Sequence, residues 1–402
     1  SYIKIRENSI KIDYFNKVND KPWGKEYLAY QNKQIGIWIL HVNAEQETSL
    51  HCHFKKDTIL IPLTGHFKIN LYNDYRILSI FESLYIPRNT FHGIHSYIDN
   101  GILMEIEIYT EKIEYTDKND LLRIKDIYNR DKDKYETSIL ERIPEENEIM
   151  MFTYPNKYTF GKTNVSILKV NDLSTLNKYD KIILLEGSLY VDGKRITSGS
   201  FIDLNTSHSL LTENVELLCI SNIDYNYLHK IIYSKNHLRD YLLKYKHVGK
   251  IGLTCGCYDI IHEGHITNLK LCKKKCDVLY VCLSSDVQIK RLKGDTRPIN
   301  KLYDRINMLI HYDFVDLLIL YDEINDDNEI ELDNIINIIN PDTWFKGTDY
   351  IKENILSKHP TLKNIELIDL IEGKSTTNIV NKIKQRFTPF FISNADFELE
   401  KN

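Results

Sequence analysis

Ten consecutive residues, Gly256-Cys257-Tyr258-Asp259-Ile260-Ile261-His262-Glu263-Gly264-His265, combine groups suited to handling phosphate. The apolar run before them reads as a strand, and the run from His265 to Cys276 reads as a helix. A strand that passes directly into a helix leaves the first N–H groups of that helix unpaired, which makes an anion site. His262 and His265, three apart, share a face of the first turn, and Gly264 between them keeps that face open. Their imidazoles can donate to phosphate oxygens and stabilise charge that develops on phosphorus and on a leaving pyrophosphate. Asp259 suits support of the loop or of a metal ion.

Further phosphate-handling residues follow. Lys290 to Pro298 reads as a basic, glycine-containing loop after a strand ending at Asp286, with Lys293 placed to fold over a triphosphate. Arg305, on the next helix, offers a guanidinium for a bidentate clamp. Lys346, Gly347 and Asp349 come after the strand Thr343–Phe345, at the edge of the sheet where such folds bind ligands. Ser375, Thr376 and Thr377 begin another helix; these hydroxyls are a cap, a second phosphate contact, or both.

The elements that must position these groups are legible as patterns. Residues 15–130 and 151–222 show short alternating runs with turn signals, as in two β-sandwich or barrel units, with charged helix or loop between. Asp192-Gly193, between apolar alternations, marks a hairpin. Residues 223–247 carry apolar positions at helical spacing without Gly or Pro and read as a linker helix. Residues 248–388 alternate strand and helix, which implies a parallel α/β sheet, and the last dozen residues read as a tail. The expected fold is multidomain: N-terminal all-β units and a C-terminal Rossmann-like domain.

Lys+Arg total 52 against 57 Asp+Glu, a balance that argues against nucleic acid as partner, and no basic amphipathic or long apolar run argues for a membrane. Seven cysteines, an odd count without a secretory leader, fit a reducing cytoplasm. The pair Cys255-x-Cys257 with Cys272-x3-Cys276 fits structural zinc spacing poorly.

The ten-residue segment resembles the His-x-Gly-His signature of the cytidylyltransferase-like nucleotidyltransferases. The order of the later segments, Lys290 to Asn300, Asp304-Arg305, Val315-Asp316, Phe345 to Tyr350 and Glu372 to Val380, resembles the adenylyltransferase half of the bacterial heptose kinase/adenylyltransferase over about residues 248 to 386. The resemblance implies transfer of AMP from ATP to a sugar 1-phosphate, with pyrophosphate released and Mg2+ accompanying the NTP. His262, His265 and Lys293 would be catalytic. Gly256, Cys257, Tyr258, Asp259, Gly264, Arg305, Lys346, Gly347, Asp349, Ser375, Thr376 and Thr377 would bind nucleotide. Glycerol-3-phosphate cytidylyltransferases tend to carry a lysine where Asp295 stands, which favours ATP over CTP. A cytidylyltransferase acting on a polyol or headgroup phosphate stays open as an alternative, as does a non-enzymatic sugar-sensing scaffold. A homodimer is expected.

In the N-terminal region, Lys21-Pro22-Trp23-Gly24, Ser49-Leu50-His51-Cys52-His53, Gly65 and Pro87 to His92 resemble a cupin of the type II phosphomannose isomerase kind. The resemblance implies a divalent transition metal on His51, His53 and His92, and a domain that isomerises or epimerises a sugar, or only binds one. The position that carries glutamate in cupins is Thr58 here, with Asp57 beside it facing the other way by strand alternation. The missing anion predicts a weakened site. Residues 151–222 resemble a second cupin without the His-x-His pair, and are expected to hold no metal.

Overall fold

The computed structural model describes residues 13–130, 140–206, 208–210, 212–222, 225–321, 331–348, 350–369, 371 and 373–395. Two compact units divide the chain, Ser1–His229 and Lys230–Asn402.

In the first unit, alternation sorts side chains between two cores. A seven-stranded antiparallel sheet is built around Gly24–Gln31, Ile35–Val42, Gly101–Tyr109 and Lys56–Thr64. It faces a five-stranded sheet containing Leu50–Cys52, His92–Ser96 and Phe67–Leu71. Trp38, Leu40, Leu60 and Leu103 point between these sheets and pack with Phe67, Ile69 and Ile94. Their neighbours Ile37, Ile39, Ile59, Ile61, Met104 and Ile106 point to the opposite face, where they pack with Val165, Ile167, Ile183, Leu185, Leu218 and Ile220. These last six come from a four-stranded sheet that includes Thr163–Val170, Lys181–Glu186 and Val215–Asn222. The other face of that sheet closes a third core of Leu168, Ile182, Leu184, Leu217 and Cys219. Each buried aliphatic side chain of this kind stabilises by about 1.5–3 kcal/mol. The hairpin at Asp192-Gly193 forms as expected, with Val191 paired to Lys194 and both turn residues at positive φ, 47° and 73°. The charged stretch of residues 111–150 contains no helix among its described residues. It supplies strands Leu122–Lys125 and Leu140–Arg142 instead.

The second unit is a parallel sheet of β1 (Ile231–Ile232), β2 (Ile251–Gly256), β3 (Val278–Ser284), β4 (Leu317–Tyr321), β5 (Thr343–Gly347) and β6 (Ile365–Ile368) in the order β1-β4-β3-β2-β5-β6. Its helices are α1 (Lys235–Lys244), α2 (Glu263–Lys273), α3 (Asp286–Lys293), α4 (Leu302–Leu309), α5 (Glu331–Ile339), α6 (Lys352–Lys358) and α7 (Thr376–Ala395). Strand order reverses between β2 and β5, and in a Rossmann-like sheet the crevice at the carboxyl ends of such a pair takes the ligand.

Two expectations change. Residues 223–247 are not one linker helix. They hold a helical turn at Tyr225–Leu228, then β1 paired with β4, then α1, so the α/β unit begins at Lys230 rather than at 248. The final helix also continues through Ala395 into what the sequence suggested was a tail. Among the described residues no helix is long and apolar enough to cross a membrane.

Candidate active site

The turn after β2 is shaped by two residues. Tyr258 takes a positive φ of 47°, which folds its buried ring back over Gly256. A Cβ at Gly256 would lie 2.7 Å from that ring, so only glycine fits. The same ring lies 5.3 Å from the ring of His265 and helps to hold it. His262 is the N-cap of α2, and its Nδ1 accepts from the Gly264 N–H at 3.1 Å. An accepting Nδ1 places the proton of the neutral ring on Nε2, a donor at the mouth of the site. The two imidazoles stack with centroids 4.0 Å apart. Burial, then the charge of Lys374, lowers the pKa of His262. Burial, then His262 and Lys293, pushes that of His265 down to about 4. Both rings are therefore neutral near pH 7.

Asp259 is committed to the neighbouring loop. Its carboxylate accepts from the backbone N–H groups of Ile299 and Asn300, each at 2.8 Å, and from Nε of Arg297 at 2.5 Å. Burial opposes its charge, but these donors outweigh it and lower the pKa. Asp259 thus anchors the loop, the first of the two roles its position suggested. Arg305 departs from expectation. Its side chain is fully buried, and it donates from Nε to the Asn300 carbonyl, from Nη1 to the carbonyls of Cys257 and Ser284 at 2.7 and 2.8 Å, and from Nη2 to Asp286 at 2.7 Å. A guanidinium so used has no face left for a phosphate clamp. It ties together the segments after β2 and β3 and the loop before α4.

The basic segment expected as a loop is partly helical. β3 ends at Ser284, and Ser285 caps α3 by accepting from the Gln288 N–H at 3.1 Å. Lys293 is the last residue of α3, and Gly294 stops the helix at φ 90°. Lys293 nonetheless lies near enough to depress the His265 pKa. Asp295 pairs with Lys290 at 3.2 Å.

Lys346, next to the last residue of β5, holds Nζ 4.2 Å from the ring centre of Trp344 and 4.8 Å from that of Tyr350, so aromatic faces position its charge beside Gly347. Asp349 lies outside the described residues. Ser375 caps α7, accepting from the Asn378 N–H at 3.2 Å, and Thr376 and Thr377 form the first turn. The start of α7 meets the start of α2. A Cβ at Gly264 would sit 3.1 Å from the Lys374 carbonyl, and Lys374 Nζ lies 2.8 Å from a Glu263 carboxylate oxygen. Sequence reasoning missed this pair. Glu263 and Lys374 both stand inside the motifs, yet nothing in their 111-residue separation signals contact. The structure thus gathers His262, His265, Lys293, Lys374 and two helix N-termini at the carboxyl edge.

In the first unit, one ligand atom from each of His51, His53 and His92 lies within 4.8 Å of the others. Each Nδ1 is engaged by a backbone carbonyl: Ser49 at 2.8 Å, Asp120 at 2.5 Å and Thr90 at 3.1 Å, respectively. That arrangement puts the protons on Nδ1 and leaves Nε2 as the acceptor, and Nε2 of both His53 and His92 is buried without a partner. Burial first, then nearby positive charge, lowers all three pKa values, that of His92 to about 4. Neutral, converging, pre-oriented imidazoles fit a divalent transition metal. Asp120 was not foreseen. Besides its carbonyl, its carboxylate takes the N–H groups of Phe54 and Lys55 and so bolts the Asp117–Leu121 segment beside the histidines. Thr58 faces inward and is 1% exposed, whereas Asp57 turns away to accept from Tyr85 Oη and the Arg88 N–H. The second β unit has an aliphatic interior. The side chain of His208 lies outside the described residues. Among the described residues no cysteines converge as a metal cluster.

Comparison with known proteins agrees with this division. Residues 253–386 match the family model "Cytidylyltransferase-like", and residues 8–126 match "Mannose-6-phosphate isomerase C-terminal". The chain is 43% identical over 146 residues to the bifunctional protein HldE of Campylobacter fetus, a match covering 36% of this chain and 30% of that protein. It is 38% identical over 154 residues to the protein of the same name from Granulibacter bethesdensis, covering 37% and 30%. The chain therefore spans about a third of the length of these curated relatives. An RmlC-like cupin from Shewanella frigidimarina is 17% identical, with 26% of this chain and 93% of that chain covered and a TM-score of 0.22. The chain thus combines a cytidylyltransferase-like nucleotidyltransferase domain at its C-terminal side with an N-terminal domain of the mannose-6-phosphate isomerase C-terminal, cupin kind.

Proposed function

We propose that the α/β unit transfers AMP from ATP to a sugar 1-phosphate in nucleotide-sugar biosynthesis. The observation that carries this reading is the stacked, neutral pair His262 and His265 at the start of α2, with Lys293 and Lys374 beside it. A phosphate oxygen of the acceptor attacks the α-phosphorus in line. The bond from that phosphorus to the bridging oxygen breaks and pyrophosphate leaves; Mg2+ accompanying the NTP would supply charge neutralisation. No covalent intermediate is needed; positioning and charge neutralisation supply the catalysis. His262 and His265 donate to the triphosphate, Lys293 and Lys374 neutralise its β- and γ-phosphates, and the N–H groups at the start of α7 close the site. Asp295, an exposed acid paired with Lys290, stands where a CTP-using relative would carry a lysine, which supports ATP. A pyrophosphate-release screen of four NTPs against sugar 1-phosphates and polyol phosphates tests the reading. ATP with a sugar 1-phosphate should be the best pair, and release only with CTP and a polyol phosphate would reject it.

The cupin domain is read as holding a divalent transition metal on His51, His53 and His92. Such a metal supplies Lewis acidity toward a ligand oxygen. With no carboxylate ligand, purified protein should carry less than one metal per chain by elemental analysis. The two sites are separable on this reading. A fragment starting at Ile223 retains β1 and every phosphate-handling residue, so it should melt cooperatively and keep part of the transfer activity. A well-folded but inactive fragment would mean that the transfer site borrows residues from the first unit. A cytoplasmic homodimer is the expected setting, and light scattering on purified chain reads its mass directly.

A further inference from the structure

The three imidazoles contribute no negative charge, and the groups around them contribute positive charge. Arg123 and Lys56 both disfavour a charge on His51, and Lys56 acts on all three rings. Two of the barrel's carboxylates are committed to ion pairs. Glu107 is ion-paired with the fully buried Lys56 and with Lys118 at 3.7 Å, and it accepts from Tyr109 Oη at 2.9 Å. Glu26 lies 3.6 Å from both Lys21 and Lys118. Glu105 is on the cavity wall but is not in the group that converges with the histidines. Thr58, at the position where a carboxylate would complete the ligand set, has a buried hydroxyl without a partner. A dication placed on three neutral rings in such a cavity keeps an uncompensated charge, which burial makes costly.

Two cavities share Lys118 in their walls, and one of them touches the histidines. An inner cavity of about 50 Å3 touches His51 and His53, and its charged lining is four cations, Lys21, Lys118, Arg123 and Arg130, against two carboxyl groups, Glu26 and Glu105. It has room for the head of a small molecule and not for its body. A larger cavity of about 630 Å3 is lined by Phe54, Lys55 and the polar stretch from Thr110 to Asn119. Lys118 lines both, and its ammonium is fixed 3.8 Å from the ring centre of Trp38. A volume of that order accepts a ligand of monosaccharide size.

We propose that this barrel binds its metal and an anionic small molecule as one unit: the ligand's carboxylate or phosphate head, in the inner cavity, supplies the negative oxygen that Thr58 does not. Its hydroxylated body lies in the outer cavity. The proposal rests on the metal reading of the three histidines and deepens it. Because binding free energies are reciprocal, the anion tightens the metal by the factor by which the metal tightens the anion.

The test is a Co2+ titration of metal-stripped full-length chain, read by visible absorption and calorimetry, alone and with inorganic phosphate, glucose 6-phosphate or gluconate. Co2+ should bind weakly alone and about tenfold or more tighter with at least one organic anion, a coupling within the ordinary range for linked sites. The phosphate and carboxylate arms tell which head the site takes. Thr58→Glu, or Thr58→Asp if the longer side chain prevents folding, should bind Co2+ tightly without anion and lose the coupling. His51→Ala should lose the Co2+ signal. Equal Co2+ affinity with and without every anion overturns the proposal while leaving the metal reading intact. No Co2+ binding in any arm overturns both. The wild-type titration decides without the variants.

Discussion

His265→Ala should slow pyrophosphate release by about 10²–10³, the usual loss when one donor aimed at developing charge is removed. The fold should survive, because the ring packs on His262 and Tyr258 at the open end of a helix and does not cap it. His262→Ala is different. It removes the N-cap as well, at about 1 kcal/mol, so lost stability would accompany lost rate, and His262→Asn should recover the stability alone. The depressed pKa of His265, about 4, has its own signature. In the unfolded chain the ring takes a proton as pH falls through about 6.5, whereas in the folded unit it does not until about 4. The stability present above pH 6.5 is therefore lost toward pH 4, and the alanine variant should lose less over that interval. Circular dichroism melts at pH 7 and pH 5, with turnover at pH 7, check both statements. An alanine variant with near wild-type turnover would remove His265 from the mechanism.

Arg305→Ala should unfold the α/β unit before it affects nucleotide affinity. The guanidinium holds three carbonyls and Asp286 from a fully buried position. Removing one partner of a buried charged network costs about 3–5 kcal/mol. At about 2–4 °C per kcal/mol for a unit of this size, the melting temperature should fall by roughly 6–20 °C. Arg305→Lys keeps the charge but not the planar fork and should recover little of the loss. Calorimetry of the full chain separates the alternatives. A lysine variant with the wild-type melt and a large loss of ATP affinity would restore the phosphate clamp that the sequence suggested.

These two residues show where sequence reading succeeds and where it stops. The role of His265 is local: strand, turn, histidine spacing and helix all lie within a dozen residues, and backbone geometry fixes the rest. Arg305 reads as a phosphate ligand because composition near a phosphate site is informative, whereas its partners lie on segments up to 48 residues away. The same limit hid the barrel interior. Lys56, Glu107 and Lys118 are residue types that normally face solvent, and only closure of the sheets reveals them as a buried network. The misread linker has another cause. Ile231-Ile232 is a two-residue edge strand, too short to break a helical pattern that continues on both sides of it. That His51 and His53 share a strand face while Asp57 turns away from Thr58 was legible, because strand side chains alternate with a period of two.

The apolar back of the seven-stranded sheet sets a condition on synthesis. Ile37, Ile39, Ile59, Ile61, Met104 and Ile106 leave the ribosome well before the strands that cover them, the last of which ends at Asn222. At roughly 5–20 residues per second, that face waits on the order of 5–20 s for its cover. During that wait it is a sticky surface on a nascent chain, and a holding chaperone is the natural occupant. The second β unit, although it lacks the polar interior of the first, thus acts as the piece that ends this exposure. A stop codon or a pause between the two units would be felt first as aggregation and only afterwards as lost chemistry.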